Sequence, residues 1–280
     1  MRNLILLVFI SLLIHCFGQN IVATVDGVKI TEEEFLNDLK KFAGEPILKE
    51  MIDNILVEKE AQKEGISITP EELQIRLEIF RRLNTPPGVD FAKDLLNNGT
   101  TLARLTNAFR LGLLLDKLVA KKENITISDE EIENEFKKVN KERHTYCILV
   151  KTEEDALTVH KKLTEGSYTF SEVAQQYSQE PESKAKGGDL GWIRKGTLPP
   201  YFDQVIFSLK KGEISDPIWT RYGFYFFKVE EERTIQLTPQ IKEELRQSLL
   251  TAKVGLRRFM LLDELRSKAK IEISVRFPDS

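Results

Sequence analysis

Apolar positions repeat at helical spacing over most of the first half of the chain. Residues 47–64 and 102–120 each carry a broad apolar face, with polar residues on the opposite side. Helix starts are marked by capping boxes, in which a Ser or Thr precedes a Glu by three positions, at Thr31, Thr69 and Ser128. The pattern therefore predicts a mainly helical segment over residues 20–140.

Strand patterns occur near the start of the chain and again in its second half. Residues 21–25 and 28–30 alternate around Asp26-Gly27, a dipeptide that favours a tight turn, and this predicts a small hairpin. Residues 146–150 are continuously apolar, which is typical of a buried strand, and short helix and strand patterns follow. Residues 143–233 are therefore predicted to form a compact α+β domain.

The last segment, residues 238–280, again carries an apolar stripe. A helix is predicted from Thr238-Pro239 onward, and a strand over Ile271–Phe277. This stripe and the N-terminal segment each have more apolar face than they can bury alone, so we expect them to form one lobe. The expected fold class is α+β: a small antiparallel sheet with surrounding helices, inserted in a mainly α-helical lobe.

Residues 1–18 show the pattern of an export signal, with an apolar run at Leu4–Ile14 and small residues after it. The run of roughly 11 apolar residues is about half the length of a membrane-spanning helix. Two outcomes stay open: ordinary cleavage near Gly18, or lipid modification of Cys16, where His15 departs from the small residue usual in lipoprotein signals. Both predict a protein exported to the periplasm or the outer face of the cytoplasmic membrane, lipid-anchored in the second case.

Composition narrows the function classes. The chain has a net charge of −3, with 41% hydrophobic and 30% charged residues, so it is typical of a globular protein and lacks the basic excess of a nucleic-acid binder. It has two cysteines. If Cys16 is removed with the signal, Cys147 is left without an intrachain partner, and stability must come from packing.

Several short motifs follow one another in a fixed order inside residues 143–233. They are Phe170-x-x-x-Ala174-x-x-Tyr177-Ser178, Gly187-Gly188-Asp189-Leu190-Gly191-Trp192, Lys211-Gly212-Glu213-Ile214-Ser215 and Thr220-x-x-Gly223. This ordered set resembles the parvulin-type prolyl isomerases. The flanking segments resemble, more loosely, the SurA and PrsA group of exported folding factors.

The resemblance implies a pocket for a proline ring. Rotation about an X-Pro bond must overcome a barrier of about 18–20 kcal/mol, but it makes and breaks no covalent bond, so we expect neither metal nor cofactor. By family position, Leu190, Leu198 and Phe202 would form the ring pocket. Its other substrate contacts would be Trp192, Ser178 and Thr220.

The polar part of the predicted site departs from the family pattern. Where parvulins usually have two histidines and a Cys or Asp, this chain has Cys147, Tyr225 and Glu180, and the resemblance assigns these three to the catalytic positions. Glu180 has two open interpretations, a carboxyl group directed at the substrate carbonyl or an exposed loop acid. His144 and His160 do not align with the family histidines and are interpreted as structural or surface residues.

The expected substrates are unmodified, partly unfolded exported polypeptides that contain proline. Acidic residues at 153–155, just after the first strand of the domain, would repel a phosphate group. Three hypotheses remain: an isomerase that also holds clients in its helical lobe, a chaperone whose parvulin domain only binds peptide, and a structural lipoprotein. Nucleic acid is not an expected partner, and the sequence leaves the oligomeric state open.

Overall fold

The computed structural model describes residues 20–275 and 277, so the predicted signal segment, including Cys16 and Gly18, lies outside the described residues. The chain divides into two compact units. One contains the described residues up to Leu56 together with those from Glu264 onward, and the other spans Val57–Asp263. Over the described residues, no helix is both long and apolar enough for a membrane span.

The first unit begins with the predicted hairpin. Asp26 and Gly27 have φ angles of 50° and 84°, the left-handed conformation that a two-residue hairpin turn requires. The unit contains, in chain order, β1 (Ile21–Val25), β2 (Val28–Thr31), α1 (Glu32–Leu39), a π-helical turn (Lys40–Gly44) and the part of α2 (Glu45–Lys63) up to Leu56.

The predicted strand at Ile271–Phe277 is not formed over the described residues 271–275 and 277. The alternating apolar side chains of this segment instead line a cavity of about 430 Å³, together with Leu48 and Ile52 of α2. Ile271, Ile273 and Val275 remain 39%, 57% and 40% exposed, so this contact with α2 covers them only in part. The prediction was wrong because an alternating pattern does not show that a strand edge is available for pairing.

The second unit combines helices with a four-stranded sheet. Its elements are α3 (Pro70–Asn84), α4 (Phe91–Asn97), α5 (Leu102–Lys122), α6 (Asp129–Val139), β3 (Lys141–Val150), α7 (Glu153–Thr164), α8 (Phe170–Tyr177), α9 (Pro181–Lys184), β4 (Asp189–Arg194), α10 (Pro200–Ser208), β5 (Ile218–Thr220), β6 (Gly223–Thr234), α11 (Pro239–Val254) and the part of α12 (Arg257–Lys268) up to Asp263. These elements confirm the predicted α+β fold class.

The sequence signals for helix starts agree with the structure. All three predicted capping boxes are formed, because in each the Ser or Thr hydroxyl accepts from the third residue of the helix and the Glu carboxylate accepts from the cap backbone. A fourth box, at Thr169 with Glu172, begins α8. One break was not predicted: Gly255, with φ of 36°, separates α11 from α12.

The helix α11 packs against the helices that precede the sheet. Thr251 donates a hydrogen bond to the buried carboxylate of Asp116 in α5 at 2.8 Å, and Lys242 pairs with Asp129 of α6 at 2.9 Å. Burial raises the pKa of Asp116, although Arg258 beside it acts in the opposite direction. Helices that precede the sheet in the sequence and the helix that follows it therefore pack in one layer.

The sheet has the strand order β4-β3-β6-β5, and all its neighbours are antiparallel. Cys147 pairs with Phe227 and Leu149 with Tyr225, and because side chains alternate along a strand, all four lie on one face. That face packs on α10, and the opposite face, with Ile148 and Phe226, packs on α7 and α8. The first face carries the candidate site.

Candidate functional site

An apolar cluster covers the α10 side of the sheet. The ring of Phe202, from α10, lies 4.7 Å from the Tyr225 ring and 4.9 Å from the Phe227 ring, measured between centroids. Leu198, which precedes α10, belongs to the same buried cluster, and the half-buried Leu190 of β4 packs against it. The three residues predicted to form the ring pocket are therefore brought together.

A cavity of about 760 Å³ opens beside this cluster. Leu190, Leu198 and Trp192 line it, whereas Phe202 is fully buried and supports the cluster without lining the cavity. Several polar and charged side chains also line it: Arg81, Arg82, Glu142, Glu180, Arg194 and Glu244. The cavity thus has an apolar part at the predicted pocket and a charged surround.

Trp192 is held in place by its neighbours on the sheet. The Arg233 guanidinium carbon lies 4.0 Å from the centre of the indole ring, and the His144 ring lies 5.3 Å from it. His144 Nε2 is 3.2 Å from a carboxylate oxygen of Asp189. His144 thus packs between Trp192 and Asp189, and His160 lies half-buried on α7.

Tyr225 and Cys147 lie in the buried cluster, and both are held in their neutral forms. Burial raises the pKa of the Tyr225 phenol, and the neighbouring Cys147 acts in the same direction. Burial also raises the pKa of the Cys147 thiol well above its ordinary value, with a further contribution from Glu180. The Tyr225 hydroxyl donates a hydrogen bond to the Pro87 carbonyl at 3.0 Å.

Glu180 is buried, so the interpretation as an exposed loop acid is wrong. Its carboxylate accepts a hydrogen bond from the backbone N–H of Ser183 in the short helix α9, and it lines the cavity. The Ser178 hydroxyl fixes the approach to Glu180, because it accepts from the backbone N–H groups of Leu149 and Glu180, both at 3.2 Å. The backbone at Gly88 lies against the Glu180 side chain and contributes to its burial.

The predicted substrate contacts of Ser178 and Thr220 stay predictions. Neither residue is among those lining the cavity. The Thr220 hydroxyl donates to the Gly223 carbonyl at 3.0 Å and accepts from the Tyr222 N–H at 3.1 Å, which closes the β5-β6 turn. Both hydroxyls thus hold the backbone around the site in shape.

The sequence did not predict that the loop after α3 would reach the site. Pro86, Pro87 and Gly88 line the same cavity as Leu190 and Leu198. The two prolines and the glycine indicate a loop, but no local pattern shows which surface a loop contacts. The burial of the Thr85 side chain likewise depends on contacts that form only when the chain folds.

The sheet topology, the surrounding helices and the apolar pocket define a parvulin-type domain. Residues 148–231 match the family described as the PPIC-type PPIase (rotamase) domain. The chain is 31% identical to the foldase protein PrsA of Geobacillus kaustophilus over 228 residues, covering 81% of this chain and 76% of that protein. It is 30% identical to PrsA of Oceanobacillus iheyensis, covering 92% of this chain and 85% of that one. The chain therefore belongs to the PrsA foldase family.

A solved structure has the same overall fold. The foldase protein PrsA from Streptococcus pneumoniae matches with a TM-score of 0.51 at 20% identity, over 91% of this chain and 96% of that one. At this identity the likeness concerns the fold alone. A helical lobe with an antiparallel parvulin-type sheet is thus shared by the two structures.

Proposed function

We propose that this protein is an exported foldase that catalyses cis–trans isomerisation of X-Pro bonds in partly unfolded exported polypeptides. The observation that carries the proposal is the apolar pocket of Leu190 and Leu198, supported by Phe202, at the edge of the cavity of about 760 Å³. An apolar pocket can bind a proline ring, and it excludes the water that stabilises the polar, planar amide. This lowers the barrier to rotation without a nucleophile.

The polar groups have supporting roles in this proposal. The neutral Tyr225 hydroxyl can donate a hydrogen bond to a peptide carbonyl next to the proline, as it does to the Pro87 carbonyl. Glu180 lies in the cavity wall, where its carboxylate would act electrostatically on the twisting amide. The buried Cys147 thiol, with its raised pKa, stays protonated, and in this mechanism it packs in the core and transfers no proton.

The second candidate function is a chaperone whose parvulin domain binds peptide without turnover. It is favoured by the absence of the usual histidine pair at 147 and 225, since a buried thiol and a phenol replace it. In either case we propose that the first unit holds clients through its exposed apolar side chains. Phe42, Val28 and Val25 are 91%, 69% and 62% exposed there.

We also propose export, from the signal pattern of residues 1–18. Mass spectrometry of the mature N-terminus distinguishes the two processing routes. A chain that begins after Gly18 supports ordinary cleavage, and a diacylglycerol mass on Cys16 supports a lipid anchor. An intact N-terminus in exported material would contradict both.

Exchange NMR of a short proline peptide with the full chain tests the catalytic proposal. We expect cis–trans exchange to be accelerated by the wild type, and client aggregation to be suppressed. Suppression of aggregation together with uncatalysed exchange would support the chaperone alternative and reject catalysis.

A further inference from the structure

The loop between α3 and α4, residues 85–90, borders the candidate site. Its Pro86 is buried and its Pro87 half-buried, and both line the cavity beside the proposed ring pocket. The Pro87 carbonyl accepts the hydrogen bond from Tyr225. Tyr225 is fully buried, although it stands at a family site position. The Pro87 carbonyl therefore accepts the hydrogen bond that the proposed function assigns to a carbonyl of the substrate.

The backbone at Gly88 lies directly against Glu180. Gly88 has a φ of 79°, and a Cβ at this position would lie 2.7 Å from Glu180 Cγ and 3.2 Å from its Cα. Only glycine allows so close an approach in this conformation. The loop thus contacts both proposed polar groups of the site, the phenol of Tyr225 and the side chain of Glu180.

The loop has the chemistry of a prolyl substrate. Thr85, with φ −119° and ψ 113°, is an extended residue directly before proline, and two consecutive prolines follow it. An extended X-Pro segment beside the apolar pocket, with a carbonyl that accepts from Tyr225, has the features that the proposed function requires of a client. The loop therefore resembles a bound peptide more than an ordinary connection.

The contacts that hold the loop can be released. After it, Asp94 of α4 accepts from the Tyr222 hydroxyl at 2.6 Å and from the Arg221 guanidinium at 3.2 Å, and the Arg221 side chain is 59% exposed. Only the Arg221 end of this ion pair is open to solvent, because the Asp94 side chain is 13% exposed, and salt weakens a pair with one exposed partner. The buried Thr85 hydroxyl has no hydrogen-bond partner, which is a cost of the docked state.

We propose that the Pro86-Pro87 segment is an intramolecular occupant of the prolyl-peptide site, and that clients must displace it. This inference rests on the proposed function, because it assumes that the pocket binds prolyl peptide. A site that is open for only a fraction of the time binds with an apparent Kd raised by the inverse of that fraction. Loosening the loop must therefore tighten peptide binding.

The test uses the full chain and a tetrapeptide anilide with a single Ala-Pro bond as probe. Two variants loosen the loop: the double substitution Pro86→Ala/Pro87→Ala removes both rings, and Asp94→Ala removes the anchor on α4 and replaces no residue that lines the cavity. Pro70→Ala is the matched control, because Pro70 is exposed at the other end of α3. NMR titration gives the Kd, exchange NMR gives the turnover, and circular dichroism checks folding.

We expect the Kd to fall by about fivefold or more in both loop variants and to stay unchanged in Pro70→Ala. An equal Kd in all four proteins, weaker binding in the loop variants, or no measurable binding by any of them would overturn the inference. Turnover separates it from the proposed function. Tighter binding in the loop variants with exchange at the uncatalysed rate supports the occupant and rejects catalysis. Catalysed exchange with an unchanged Kd supports catalysis and rejects the occupant.

Discussion

The hydroxyl of Tyr225 and the carbonyl of Pro87 form a hydrogen bond of 3.0 Å between residues 138 positions apart. This bond joins the central strand β6 to the loop that follows α3. Tyr225 is fully buried, and over the described residues its phenol finds its hydrogen-bond acceptor in this loop. The hydrogen bonding of Tyr225 in the candidate site therefore depends on a segment outside the parvulin domain.

Replacing Tyr225 by Phe tests the stabilising contribution of this bond. The ring and its packing on Phe202 are retained, but the Pro87 carbonyl loses its donor. We expect the free energy of unfolding to fall by about 0.5–1.5 kcal/mol in urea denaturation. Tyr168→Phe, at an exposed tyrosine, is the control and should be neutral. Equal stability of the two variants would contradict the assignment.

Comparison of Leu198→Ala with Leu209→Ala distinguishes a role in the pocket from a role in the core. Leu198 and Leu209 are 9% and 8% exposed and belong to the same cluster, but Leu198 lines the cavity and Leu209 does not. Both substitutions should cost about 2–5 kcal/mol of stability. We expect only Leu198→Ala to lower kcat/KM by about tenfold or more beyond any loss of folded protein, because only Leu198 would contact the proline ring. Equal losses of kcat/KM in the two variants would reject the pocket.

Replacing Glu180 by Gln removes a negative charge and keeps the acceptor for the Ser183 N–H. If the carboxylate acts electrostatically on the twisting amide, kcat should fall by about threefold to tenfold, less than in Leu198→Ala. The control is Glu154→Gln, an exposed acid on α7. A kcat equal to that of the control, in a folded protein, would show that Glu180 caps α9 and has no effect on the twisting amide.

Cys147 should resist alkylation in the folded protein. Its side chain is fully buried, and burial raises the pKa of the thiol, so the reactive thiolate is scarce at about pH 8. We expect iodoacetamide to label this residue in urea and to leave it unmodified in the native chain. Peptide mapping by mass spectrometry is the measurement. Rapid native labelling would show that the site opens to solvent around β3.

Local structure was the part of this fold that the sequence predicted well. The capping boxes at Thr31, Thr69 and Ser128 depend on residues three positions apart, and the buried part of β3 follows from the continuous apolar run at 146–150. The motif order also placed Leu190, Leu198 and Phe202 in one cluster. These features are encoded over short distances or in a strongly patterned domain.

Features that depend on distant partners were missed. The strand β4 begins in a glycine-rich stretch whose local pattern does not indicate a strand, and it forms because β3 offers an edge for pairing. The predicted strand at Ile271–Phe277 failed for the opposite reason. The burial of Glu180 and the contact of Pro87 with Tyr225 depend on which surfaces meet after folding, and no local pattern encodes that.

The most direct test of the central claim is the rate of cis–trans exchange in a prolyl peptide with the wild-type full chain. Uncatalysed exchange takes tens to hundreds of seconds. We predict exchange that accelerates in proportion to protein concentration, since an apolar pocket suffices to twist the bond without a histidine pair. Exchange at the uncatalysed rate, with the peptide bound, would contradict the account.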